Sequence, residues 1–129
     1  MPAFEAEVGM PYWITLASSD VKASEEFYSA VLGWEFEEGI ARLEGLPIAE
    51  IVPGQDTWAT YFLSRDLEAD CARVEQLGGK ILALGAPLAL VLDNSGAMFG
   101  LTQPELDRFV AGGEPGTPVW HELTCLLYT

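Results

Sequence analysis

Apolar residues fall along this chain in short runs whose order repeats. Tyr12–Ala17 is rich in aromatic and β-branched types and predicts a strand, ending at Ser18-Ser19-Asp20, whose side-chain oxygens can cap a helix. From Val21 to Leu32 the apolar positions Val21, Phe27, Tyr28, Val31 and Leu32 recur at three-to-four spacing, which predicts a helix with one buried face, stopped by Gly33. Short strands are expected at Trp34–Glu37, Ala41–Leu43 and Pro47–Val52, before the break at Pro53-Gly54.

The same order then returns. Trp58–Leu63 reads as a second aromatic strand, Ser64-Arg65-Asp66 repeats the cap, and Leu67, Cys71, Val74 and Leu77 mark a second amphipathic helix ending at Gly78-Gly79. Strands follow at Lys80–Leu84, Leu88–Leu92 and Ala97–Thr102, the last two joined by a turn at Asp93-Asn94-Ser95-Gly96. Ser18 matches Ser64, Asp20 matches Asp66, Ala23 matches Ala69 and Gly33 matches Gly79, all at an offset of 46 residues. The pattern is an internal repeat of strand, helix and three strands. Each half alone would expose an apolar sheet face, so the halves are expected to join. The fold class is α+β: two βαβββ modules forming one curved mixed sheet with helices outside. The domain is expected over residues 1–104, with modules at about 9–54 and 57–104, followed by a glycine-containing charged linker at 105–116 and an extra C-terminal strand over 117–129.

Composition narrows the functional classes. The formal charge is −14, from twenty acidic and six basic side chains, and the field it produces disfavours nucleic acid and anionic membranes. The longest apolar runs are far too short to cross a bilayer, and the N-terminus lacks the basic start and apolar stretch of an export signal, so a cytoplasmic protein is expected. Cys71 and Cys125 have no CxxC spacing, which speaks against a redox or zinc motif and makes Cys71 a buried structural thiol. There is no nucleophile elbow, no phosphate-binding glycine loop and no dinucleotide fingerprint.

Three stretches carry a family resemblance: Met10-Pro11-Tyr12-Trp13-Ile14-Thr15-Leu16, the run Glu26-Phe27-Tyr28-Ser29-Ala30-Val31-Leu32-Gly33-Trp34, and Leu92-Asp93-Asn94-Ser95-Gly96-Ala97-Met98-Phe99-Gly100-Leu101. Together they resemble the vicinal-oxygen-chelate superfamily, which comprises glyoxalases, bleomycin-resistance proteins and dioxygenases. The narrower likeness is to the first half of actinomycete tandem glyoxalase-like proteins. Gly116-Thr117-Pro118-Val119-Trp120-His121-Glu122-Leu123 echoes Gly9–Leu16 at an offset of 107, as though a further module began there.

Catalytic members of that superfamily bind a divalent metal on the concave sheet. Carried over by motif, the four ligand positions fall near Trp13, Glu50, Thr60 and Gly100, and of these only Glu50 could ligate. The chain has one histidine, His121, so no shift of alignment completes the set. The resemblance therefore implies a metal-free binder of a small organic molecule, without cofactor, rather than an enzyme. The alternative is a metal-dependent lyase or dioxygenase whose ligands a partner chain completes. Regular alternation would place Trp13, Thr15, Ile48, Glu50, Trp58, Thr60, Phe62 and Met98 in one cleft, an aromatic wall suited to a cationic or aromatic ligand, though such residues also serve as plain core. His121 should face away from that side, as a surface imidazole or a proton switch. A homodimer is expected, with the strand Val119–Leu127 adding to a sheet, the partner's included.

Overall fold

The computed structural model describes residues 3–104, 109–112 and 114–124. In chain order the elements are β1 (Ala3–Glu5), β2 (Pro11–Ser18), α1 (Val21–Leu32), β3 (Glu35–Glu37), β4 (Ile40–Leu43), β5 (Leu46–Pro53), β6 (Thr57–Leu63), α2 (Leu67–Gln76), β7 (Lys80–Gly85), β8 (Leu88–Leu92), β9 (Met98–Thr102) and β10 (Phe109–Ala111). Strands β2 to β9 form one eight-stranded mixed sheet in the order β3-β4-β5-β2-β6-β9-β8-β7. The two βαβββ modules meet where β2 pairs antiparallel with β6, and inside each module the first strand pairs parallel with the last, β2 with β5 and β6 with β9.

The repeat extends to the hydrogen bonds that start each helix. Asp20 accepts from the Ala23 backbone at 3.1 Å, and Asp66 accepts from Ala69 at 3.1 Å, each satisfying a first-turn N–H that the helix itself leaves unpaired. Behind each cap a buried serine is tied to the helix, Ser18 Oγ to Ser24 Oγ at 2.6 Å and Ser64 Oγ to Asp70 Oδ2 at 2.6 Å. Helix α1 stops at Gly33, whose φ of 75° lets its N–H reach the Ser29 carbonyl.

Each helix covers one half of the same sheet face. Under α2 lie Ala89, Val91 and Leu101, packed with Leu67 and Cys71 and flanked by Phe62, Phe99, Val74 and Ile81. Burial, then the charges of Asp70 and Glu75, push the Cys71 thiol up, which keeps it an inert core group. Under α1 lie Ala41, Ile48, Ala49 and Trp34, with Tyr28 and Leu32 reaching down from the helix. The expected single buried face of α1 is narrower than the spacing suggested. Phe27 and Val31 are 58% and 60% exposed, because they sit one residue before Tyr28 and Leu32 and so turn away from the sheet.

The other sheet face carries Thr15, Ala59, Tyr61, Leu63 and Thr102, none more than 9% exposed although neither helix packs there. A sheet buries such residues by curling around them, so the helix-free face is the concave one. Its hairpin turn between β8 and β9 is held by Asp93, whose Oδ1 accepts from the Ser95 N–H, the Ser95 hydroxyl and the Ala97 N–H.

Those bonds hold the Asp93 carboxyl below its usual value, and bonds from the Ser19 backbone and hydroxyl lower Asp56 likewise. A depressed folded value gives stability that is present above the unfolded value, about 3.9, and is lost as pH falls through the folded one. We expect the unfolding midpoint of the wild type to drop more steeply below about pH 4 than that of the Asp56→Asn, Asp93→Asn double variant, measured by thermal melts between about pH 5 and about pH 2. Parallel curves would mean that these bonds add nothing to acid sensitivity.

The C-terminal stretch departs from the sequence expectation. Within the span read as linker, Phe109–Ala111 pairs antiparallel with Ala3–Glu5 as a separate two-stranded ribbon against β5. Residues 118–124 have no strand pairing, and 125–129 lie outside the described residues. The tail instead crosses to the helix side. Trp34 Nε1–H donates to the Gly116 carbonyl at 2.7 Å, and His121 Nδ1 lies 3.2 Å from Thr60 Oγ1 in a hydrogen bond. Over the described residues 114–124 the segment is held by these bonds rather than by a strand ladder.

Candidate functional site

The strand register decides which residues share the concave face, since directly paired residues point the same way. Thr15 pairs with Glu50 on one side and Ala59 on the other; Trp13 pairs with Tyr61, and Tyr61 pairs with Gly100. Leu90 pairs with Gly100 and Leu92 with Met98, which puts Met98 on this face as well. Of the eight residues expected in one cleft, Trp13, Thr15, Glu50 and Met98 are therefore brought together.

The other four lie on the helix side. Trp58 and Thr60 pair with Leu16 and Ile14, and Phe62 pairs with Leu101, all facing the helices. Trp58 packs edge-on against Tyr28 at 5.6 Å, and Phe62 against Phe99 at 6.0 Å. Ile48 is displaced by a register shift: Ala41 pairs with Ala49 and Arg42 with Pro47, so Ile48 is the extra residue and joins the cluster under α1. The expected continuous aromatic wall thus divides into a concave Trp13–Tyr61 pair and separate helix-side clusters.

The repeat held the signal that alternation missed. An offset of 46 carries Trp13 to Ala59 and Thr15 to Tyr61, the two residues that flank Thr60, and so predicts the opposite face for Thr60 itself.

The ligand positions expected near Trp13, Glu50, Thr60 and Gly100 shift in two places. Thr60 pairs with Ile14 and faces the helices, and the residues paired with Glu50 and Gly100 are Thr15 and Tyr61, which makes Thr15, Glu50, Tyr61 and Gly100 two strand-paired couples related by the internal symmetry. Their chemistry does not fit a divalent metal. One carboxylate is present, Gly100 has no side chain, and the Tyr61 ring lies directly over the Gly100 Cα, so that a Cβ there would fall inside the ring. Among the described residues no three His, Cys, Asp or Glu side chains gather to hold a metal ion.

Arg42 is a concave-face residue that the sequence did not single out. It pairs with Glu35 and lies two residues from Ile40, which pairs with Glu50. Its Nε is 3.6 Å from Glu37 Oε1, and its Nη1–H donates to the Gly45 carbonyl at 3.3 Å.

No family model matches the chain. Two curated relatives do: "Putative glyoxylase CFP32" of Mycobacterium bovis and of Mycobacterium tuberculosis, each 27% identical over 146 aligned positions that take in 92% of this chain. The chain spans about half the length of these relatives, 55% in each case. Among solved structures, methylmalonyl-CoA epimerase of Streptomyces coelicolor, in complex with 2-nitronate-propionyl-CoA, aligns at a TM-score of 0.51 and 17% identity, covering 79% of this chain and 99% of the epimerase. The 2,2',3-trihydroxybiphenyl 1,2-dioxygenase of Sphingomonas wittichii aligns at 0.54 and 17% identity, covering 80% of this chain and 43% of the dioxygenase. Both share the fold. With its paired βαβββ modules and its concave helix-free face, the chain has the glyoxalase/bleomycin-resistance fold that these solved structures share, and it is similar over most of its length to the two mycobacterial relatives.

Proposed function

We propose that this protein is a metal-free small-molecule binder of the glyoxalase/bleomycin-resistance type, which holds an organic ligand on the concave face without converting it. The observation that carries this reading is the donor set: at the four symmetric positions Glu50 stands alone, and the Tyr61 ring fills the space of the fourth. What is left suits recognition. Glu50 offers an acceptor for a cationic or hydroxyl-bearing group, Thr15 offers a hydroxyl beside it, and Trp13 offers a flat apolar surface. The charge of −14 also favours cationic over anionic visitors.

We read the domain as cytoplasmic and as working in pairs, a homodimer with or without exchange of the C-terminal segment. Supporting the pairing is an exposed apolar belt of Phe27, Val31 and Trp58 on the helix side, together with Val119, Trp120 and Leu123 in the tail.

One experiment tests the reading: native mass spectrometry and elemental analysis of protein purified without chelator. The expected result is a dimer mass with less than about 0.1 metal per chain, given that a lone carboxylate holds a divalent ion too weakly against water. Stoichiometric zinc, iron, nickel or manganese would overturn the binder and favour a lyase or dioxygenase completed by the partner chain.

A further inference from the structure

We infer that the ligand of this site is a zwitterion, a small molecule with a cationic amine and a carboxylate close together next to an apolar or aromatic group. The inference rests on the binding reading above and adds the anionic half. Glu50 pairs with Thr15 in β2 and with Ile40 in β4, which makes Trp13 and Arg42 its diagonal neighbours on either side, each about 7–8 Å away between α-carbons. Both lie toward the start of β5, flanking the position of Ile48. In an unbroken ladder the Ile48 side chain would stand between them. The register shift sends it instead to the cluster under α1, where it is 5% exposed. Pro47, which pairs with Arg42, takes that place on the concave face with a shorter side chain, so a carboxylate, a guanidinium and an indole stand around a small apolar residue.

The guanidinium is incompletely used. Its Nε is buried and makes no hydrogen bond, standing 3.6 Å from a Glu37 carboxylate whose side chain is 74% exposed. Such a long, solvated pair is weak and easily exchanged. A ligand carboxylate can meet the same planar donor edge with two shorter bonds, the geometry for which arginine is suited and lysine is not. The amine then lies toward Glu50 and Thr15, and the apolar group over Trp13. In a protein of charge −14, an anion alone would be repelled, and a built-in arginine beside the carboxylate marks a ligand carrying both signs.

The test uses three related probes and calorimetric titration of the full chain: L-phenylalanine, its amide, which keeps only the amine charge, and N-acetyl-L-phenylalanine, which keeps only the carboxylate. The zwitterion is expected to bind at least tenfold more tightly than either single-charge probe. Arg42→Gln should weaken the zwitterion at least tenfold and change the amide less than twofold, whereas Glu50→Gln should weaken zwitterion and amide together. Melting midpoints and circular dichroism of both variants establish that they fold, and Arg42→Lys, which keeps charge without the fork, should recover only part of the loss. If the amide binds as well as the zwitterion and Arg42→Gln alters neither, the zwitterion inference is overturned while the binder stands. If none of the three probes binds, the inference is overturned as well, and a stoichiometric metal in the elemental analysis would then be what separately removes the binding reading.

Discussion

Replacing Gly100 by alanine is expected to lower the melting midpoint by roughly 10 °C, the equivalent of about 3 kcal/mol in a chain of this size. Gly100 is not required for its backbone angles; it is required because Tyr61 pairs with it across β6 and β9 and lays its ring over the Cα. Tyr61 is only 7% exposed, and Leu63 and Ala59 beside it in β6 are 2% and 5% exposed, so the ring has little space into which to retreat. A methyl group there must displace either the ring or the strand. The cause can be separated from a general strand effect by a double-mutant cycle. On a Tyr61→Ala background, itself destabilised by the cavity it leaves, Gly100→Ala should cost almost nothing, giving a coupling of about 2–3 kcal/mol between the two positions. A midpoint within a degree or two of wild type for Gly100→Ala would show that the ring swings aside freely, and that the concave face has more room than the burial of Tyr61 suggests.

The same pair shows where sequence reasoning succeeded and where it stopped. Elements whose existence depends on local periodicity were legible: the helix at Val21–Leu32 and the strand at Leu88–Leu92 occupy the residues that spacing and caps assigned to them, and the repeat foretold the paired modules. Facing was legible only in part. The side chains of a strand alternate reliably, but which alternate set meets the partner strand is set by register, and a single bulge reverses it. Three such shifts occur among the described residues, between Pro11 and Trp13, at Ile48 and between Ile81 and Ala83; the first two adjoin a proline, but a proline at the start of a strand marks its beginning as readily as a bulge. Trp58, Thr60, Phe62 and Ile48 therefore lie on the helix side, opposite to where alternation put them, while Trp13, Thr15, Glu50 and Met98 share the concave face. Arg42 was missed because its strand has only four residues, too few to show an alternation, and because its relevance depends on β5, which it meets only through the hairpin. The two-stranded ribbon of β1 and β10 joins residues more than a hundred positions apart and has no local signature.

A larger effect is expected from restoring what the four symmetric positions lack. Thr15→His, Tyr61→His and Gly100→Glu, made together with Glu50 retained, would supply two imidazoles and two carboxylates from strand-paired positions of the two modules. The combination is coherent because one change permits another: removing the tyrosine ring empties the space that a side chain at position 100 must enter. Imidazole and carboxylate donors at adjacent strand positions, whose α-carbons stand about 5 Å apart, can converge on one zinc ion at about 2.0–2.2 Å. The triple variant should bind zinc in a one-to-one ratio with a Kd on the order of a micromolar or tighter, against millimolar or weaker for the wild type, a difference of about 4 kcal/mol or more. Equilibrium dialysis measures it, and a rise in melting midpoint with added zinc, absent for the wild type, reports the same binding independently. Zinc should also compete with L-phenylalanine, since both need Glu50. A triple variant that folds and still takes up no zinc would mean that these positions do not converge, and the absence of a metal set would then belong to the shape of the sheet and not to four side chains. Tight zinc binding would show that the sheet can bring four donors to one ion, so that only the side chains at those positions keep the wild type from holding a metal.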